Sequence, residues 1–187
     1  MSETYVFDEE DLLDLDMDSV EAEPEYIDPT NGHYRFRIPD INIVSYDKKP
    51  DTSKGETKED VAGQKEFMVR FTYQMVQILE AADPAPPLGS LCQEPFGMQL
   101  KGQGFLKTRF IRLLGEENVI GKTLREMIDL ALTMFNTDYL IDAYVSTYTD
   151  KRGIQRYKFS RLDPVKVSKL KDFKPEAVTY WYPSQEG

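Results

Sequence analysis

The sequence predicts a mainly β domain: a small curved barrel with a helical insertion, preceded by a disordered acidic tail. Three observations lead there. Long runs alternate apolar and polar residues, the period of a half-buried strand. Two helix-period stripes lie between the third and fourth of these runs. The first 30 residues hold twelve acids and no Lys or Arg.

Residues 1–30 are read as the tail. Self-repulsion at this charge density opposes compaction, so the segment is expected to be disordered when free. Apolar side chains sit among the acids in Phe7, Asp8, Glu9, Glu10, Asp11, Leu12 and Leu13. Acidic-hydrophobic mixtures of this kind serve as docking segments that order on binding. A solubilising leader is the alternative reading. The chain has 33 Asp and Glu against 23 Lys and Arg, so outside the tail 21 acids face all 23 bases. The net charge of −10 therefore hides a weakly basic body.

The body is expected over residues 31–165. Tyr34, Phe36 and Ile38 alternate with Arg35 and Arg37, and after Pro39-Asp40 the apolar phase moves to Ile41 and Ile43. A one-residue phase shift marks a bulge or bend, as in a strand curving around a barrel. Asp47 to Gly63 is polar and reads as a long loop. Phe67, Val69, Phe71, Tyr73 and Met75 form the second strand, with another phase change at Met75-Val76. Asp83-Pro84-Ala85-Pro86-Pro87 ends regular structure because proline removes ladder donors. A short third strand is placed near Leu91 to Leu100.

The helical insertion follows. Phe105, Leu106, Arg109, Phe110, Leu113 and Leu114 fall on one stripe, stopped by Gly115. Thr123-Leu124-Arg125-Glu126 is a capping box opening a second helix, with Leu124, Met127, Ile128, Ala131, Leu132 and Phe135 as its buried stripe. Tyr139 to Tyr148 then alternates as a strand. Asp150-Lys151-Arg152-Gly153 has turn chemistry, and Ile154 to Leu162 returns as the partner. Residues 166–187 form a basic and aromatic C-terminal extension. Two long bent strands, a short one, helices and a hairpin form the order of an OB-fold.

Composition excludes several chemistries. One cysteine, Cys92, and one histidine, His33, allow no internal disulfide and too few ligands for a zinc site. No Gly-x-Ser-x-Gly elbow accompanies His33, and no spaced carboxylate set in the body points to bound magnesium. No catalytic residue, metal or cofactor is expected. No apolar run reaches transmembrane length, and the acidic N-terminus is opposite in charge to a secretory signal, so a cytoplasmic protein is expected.

What remains is binding. From Tyr148 to Lys174 nine basic residues face three acids, a local electrostatic footprint for a polyanion. The hairpin supplies Arg152, Arg156 and Lys158 for phosphates, and Tyr144, Tyr148 and Tyr157 as flat surfaces for bases. Arg35, Arg37 and Arg70, projecting from the first two strands, extend the cationic track. The same alternation also describes any half-exposed hairpin, since tyrosine is a good strand former. A protein-binding adaptor or virion-associated structural protein using the same β-body is the alternative.

The run Gly32-His33-Tyr34-Arg35-Phe36-Arg37-Ile38, continued through the loop into the Phe67–Met75 strand, resembles the opening of phage-encoded OB-fold single-stranded DNA-binding proteins. Leu106-Lys107-Thr108-Arg109-Phe110-Ile111-Arg112-Leu113-Leu114-Gly115 is similar to their helical insertion. The closing hairpin, Tyr148-Thr149-Asp150-Lys151-Arg152-Gly153-Ile154-Gln155-Arg156-Tyr157-Lys158, is similar too. The resemblance implies a non-enzymatic replication and recombination accessory that coats single-stranded DNA with low sequence specificity, in the cytoplasm of a bacterial host. Members of that class often carry an acidic tail that recruits replication or recombination proteins. Usually it is C-terminal; here it is N-terminal, and the C-terminus is basic and aromatic.

Overall fold

The computed structural model describes residues 26–82, 84–171, 173–174 and 178–183. Their order is β1 (Gly32–Asp47), β2 (Lys65–Ala81), β3 (Leu91–Gly97), α1 (Leu100–Leu114), α2 (Leu124–Thr137), β4 (Tyr139–Thr149) and β5 (Gln155–Lys166). All strands pair antiparallel in one sheet of order β3-β2-β1-β4-β5. The sheet is open, with β3 and β5 as its edges and no ladder between them among the described residues. Each edge carries a proline, Pro95 and Pro164, tolerated there because an edge strand leaves one row of N–H groups unused. For that reason β5 runs past Pro164 to Lys166, four residues beyond the Leu162 end expected from the sequence.

The phase changes in the sequence are the bends of the sheet. The β1–β2 register slips between Arg37 and Asp40, leaving Ile38 and Pro39 outside the ladder. It slips again where Arg35 faces Gln77 but Phe36 faces Met75, so Val76 is the extra residue. Only the first part of β1, Gly32 to Phe36, also pairs with β4. Beyond the bulge, β1 and β2 continue together as a ribbon to Asp47 and Lys65.

Tyr34, Phe36, Phe71, Tyr73, Ile141, Ala143, Val145 and Phe159 are buried on one face of the sheet, where both helices cover them. α1 packs on β3 and β5, placing Phe110 against Phe71 at 5.3 Å between ring centroids, while α2 packs on β1 and β4. The capping box of α2 is formed: Glu126 N–H donates to Thr123 Oγ1 at 3.3 Å, and Thr123 N–H to Glu126 Oε2 at 2.7 Å. α1 starts five residues before the expected Phe105. Gly102 and Gly104, poor helix formers, conceal that first turn. Gly102 has a steric reason to be there, since a Cβ would lie 1.8 Å from the Gly97 carbonyl oxygen.

Side chains bridge the two edges. The Arg109 guanidinium of α1 donates to Glu94 of β3 through Nε at 3.0 Å and through Nη2, and Tyr73 O–H donates to the same carboxylate at 2.8 Å. Arg109 also lies 5.9 Å from the Phe96 ring and 6.0 Å from that of Phe159 on β5. Tyr157 O–H of β5 donates to the Gln93 carbonyl of β3. Cys92 is buried nearby, and burial pushes its thiol pKa well up, which makes it a small core residue rather than a nucleophile.

The N-terminal boundary differs from the sequence expectation. Tyr26 bridges Leu91 in parallel, Ile27 N–H donates to Leu91 O at 2.9 Å, and Thr30 Oγ1 lies 2.9 Å from Tyr34 Oη. Residues 26–30 therefore belong to the body; they hold one acid, Asp28, too few for self-repulsion to keep them off it. The tail residues Phe7 to Leu13 lie outside the described residues. The C-terminal extension is docked as well: Val178 joins Val76 and Leu140 in a second apolar cluster, with Val167, Leu170, Phe173 and Tyr180 packed around them. No helix among the described residues is long and apolar enough to cross a membrane.

Candidate nucleic-acid interface

Strand alternation decides which side chains leave the core. β4 buries Ile141, Ala143 and Val145, so Asp142, Tyr144, Ser146 and Tyr148 occupy the opposite, outer face. Register then builds a patch around them. Tyr144 lies opposite Arg161, Ser146 opposite Lys158, and Tyr148 opposite Arg156 on β5. On the other side, β1 sets His33 opposite Tyr144 and Arg35 opposite Asp142. The His33 and Tyr144 rings stack at 4.0 Å and 10°, and the Arg161 guanidinium lies 6.0 Å from the Tyr144 ring. Tyr144 is 41% exposed and Tyr148 48%. Two part-exposed aromatic rings beside Arg156, Lys158 and Arg161 are the ingredients for holding single-stranded nucleic acid.

The cations of this face are largely counter-charged. Arg35 pairs with Asp142 at 2.7 Å and Arg161 with Asp163 at 2.5 Å. Asp150 serves both Arg152, at 3.7 Å, and Arg156, at 3.3 Å. Among the described residues no carboxylate pairs with Lys158 or Lys151. Asp150 also closes the hairpin turn by accepting the N–H groups of Arg152 at 2.8 Å and Ile154 at 3.0 Å. The bond from Ile154 is the main reason its carboxyl is held below the usual carboxylate range. An incoming phosphate would thus compete with these carboxylates; the pairs made by the exposed Arg152, Arg156 and Arg161 are weak and screened by salt, whereas Arg35–Asp142 is part-buried.

Three predicted contacts lie elsewhere. Arg37 shares the outer face with Arg35 but is buried at 1% exposure. Its guanidinium donates to Gln74 Oε1 at 2.8 Å, Asn136 Oδ1 at 3.0 Å and the Trp181 carbonyl, beneath the C-terminal segment. Burial pulls its pKa down, while Tyr182 and Tyr180 act the other way. Arg70 sits on the β1–β2 ribbon opposite Asn42, past the bulge and off the patch, with a buried Nε that has no hydrogen-bond partner. Tyr157 points inward: its ring meets Phe159 at 5.8 Å, and burial raises its hydroxyl pKa. Arg156, Tyr157 and Lys158 are consecutive, so a strand must send the middle one to the opposite face.

His33, which the sequence offers neither a serine elbow nor a metal set, shares a face and a period of two with Arg35 and stacks on Tyr144. Phe105 falls on the helical stripe of the first helix expected from the sequence. Phe105 is 58% exposed and Phe67 50%. With Tyr46, Lys65, Met98 and Lys101 they line a cleft of about 470 Å³ between the ribbon and the first turns of α1. Among the described residues no group of three or more His, Cys, Asp or Glu is placed to hold a metal ion. Comparison with protein-family models, with curated proteins and with solved structures finds no match for this chain.

Proposed function

We propose that this protein binds single-stranded DNA, without catalysis and with low sequence specificity, on the outer face of β4 and β5. The observation that carries the reading is the convergence of Tyr144, Tyr148, Arg156, Lys158 and Arg161 on one open face. Stacked rings tolerate any base and cations follow any phosphate, so such a face does not discriminate sequence. The strand order adds support. An OB barrel is a partly open five-stranded barrel, and here β3 and β5, the two ends of the order, are bridged by α1 and by the Tyr157–Gln93 bond. We read the fold as an OB-like barrel left open at that seam. The resemblance of residues 31–165 to phage-encoded proteins fits a replication and recombination role in a host cytoplasm, with residues 1–25 as a recruiting or competing tail.

Fluorescence anisotropy with labelled oligothymidine, oligouridine and duplex DNA tests the reading. A salt-sensitive rise with oligothymidine, and a much weaker one with duplex, is expected. No rise at low salt, or equal affinity for duplex, would defeat it. In the same titration Asp150→Asn should tighten binding by a few-fold. The amide keeps an acceptor for the turn but frees Arg152 and Arg156 from their counter-charge. Weaker binding by this variant would mean the arginines do not meet phosphate. A protein-binding adaptor remains the second reading, favoured by the cleft between Phe67 and Phe105, whose exposed apolar walls suit a partner's side chain.

A further inference from the structure

The buried Arg37 has no carboxylate partner among the described residues, although a buried cation is normally paired with one. What surrounds it is the C-terminal segment Val178–Pro183. Its Cζ lies 4.5 Å from the Tyr180 ring centroid and 4.6 Å from that of Tyr182. Gln74, opposite Arg37 on β2, donates to Thr179 O at 3.1 Å and accepts from Trp181 N–H at 3.2 Å. Two polar side chains of the central strands thus bind the strap's main chain, while the guanidinium lies against two of its rings. Leucine and valine would suffice to cover a sheet. This arrangement instead sets one register for the strap.

That register has a consequence on the outer face. Tyr182 stays 59% exposed. Arg37, Arg35 and His33 follow one another along the same face of β1, and His33 stacks on Tyr144. β4 runs antiparallel to β1 and carries Tyr148 onward beyond the start of β1. Arg37 to His33 and Tyr144 to Tyr148 are each four strand residues, so the row from Tyr182 to Tyr148 spans about 26 Å. Such a row can engage about four nucleotides, the low end of what one OB fold covers.

Building on the DNA-binding reading above, we propose that the C-terminal strap is part of the interface. Tyr182 is its third stacking ring, at the end of the row opposite Tyr148, and Arg37 is the positioning residue that holds it there. A bound strand then runs along β4 and β1 from the hairpin turn to the strap, rather than across the hairpin alone.

Trp181, the single tryptophan of the chain, reports on the strap directly. Saturating oligothymidine should change Trp181 emission in the full-length protein. Tyr182→Ala should weaken binding at least about fivefold, the lower end for one stacked base, with an unchanged melting temperature, and Tyr182→Phe should restore it. Arg37→Met tests the positioning role: the same loss of affinity is expected, with a shift in free-protein Trp181 emission. Wild-type affinity in Tyr182→Ala, or Trp181 emission indifferent to saturating DNA, would overturn the strap's part while leaving the hairpin reading intact. A wild-type chain that binds no oligothymidine in the anisotropy assay overturns both.

Discussion

Glu94→Ala is expected to destabilise the protein by about 3 kcal/mol, the low end for removing one partner of a buried ion pair. The low end applies because the Arg109 and Glu94 side chains keep 15% and 19% exposure. The substitution removes the acceptor of both Arg109 bonds and of the Tyr73 hydroxyl, leaving a mostly buried guanidinium and a fully buried phenol without it. The cost should fall on one place, the seam where α1 lies between β3 and β5. Urea unfolding would show a lower midpoint. Exchange of amides in α1 should accelerate more than in α2, which packs on β1 and β4. Replacing Glu94 and Arg109 together by apolar residues should recover part of the loss, since no charge is then left unpaired. An unchanged midpoint in Glu94→Ala would show that apolar contacts alone hold the seam.

Reversing charge at Arg156 and Lys158 together should have the largest effect on binding. Both lie on the outer face of β5, opposite Tyr148 and Ser146. Arg156→Glu with Lys158→Glu replaces two attractions to phosphate by two repulsions, and a loss of about 10- to 100-fold for oligothymidine at low salt is expected. The salt dependence is the more diagnostic readout. Each phosphate contact to a single strand adds about 0.7 to the slope of log K against log salt, so losing two should flatten it by about 1.4. Unchanged affinity and slope would remove the hairpin from the interface.

Much of the fold was legible in the sequence. The phase changes at Pro39-Asp40 and Met75-Val76 correspond to register slips, because a bulge inserts one residue and inverts the alternation after it. The α2 capping box formed as spelled, being a local exchange of two hydrogen bonds. The first turn of α1 was less legible, because Gly102 is required by the close approach of Gly97 rather than by helix propensity. The candidate site was legible in part. Tyr144, Tyr148, Arg156 and Lys158 share a face that period-2 alternation already implies. Tyr157, between two of them, belongs to the core by the same rule, although its neighbours Arg156 and Lys158 are exposed cations.

By itself the sequence determined the strand and helix order, the bends, the charge division between tail and body, and the aromatic-basic hairpin. These depend on neighbours within a few residues, where steric and hydrogen-bonding rules act locally. Only the tertiary structure decided where Arg37 belongs. Its spacing from Arg35 marks the same outer face, yet its exposure depends on a segment more than 140 residues later folding across it. It also decided that Asp142, Asp150 and Asp163 counter the arginines of the hairpin face, and that the two edge strands meet through α1 rather than through a ladder. Contacts between distant segments reflect the whole chain's packing, and no local period encodes them.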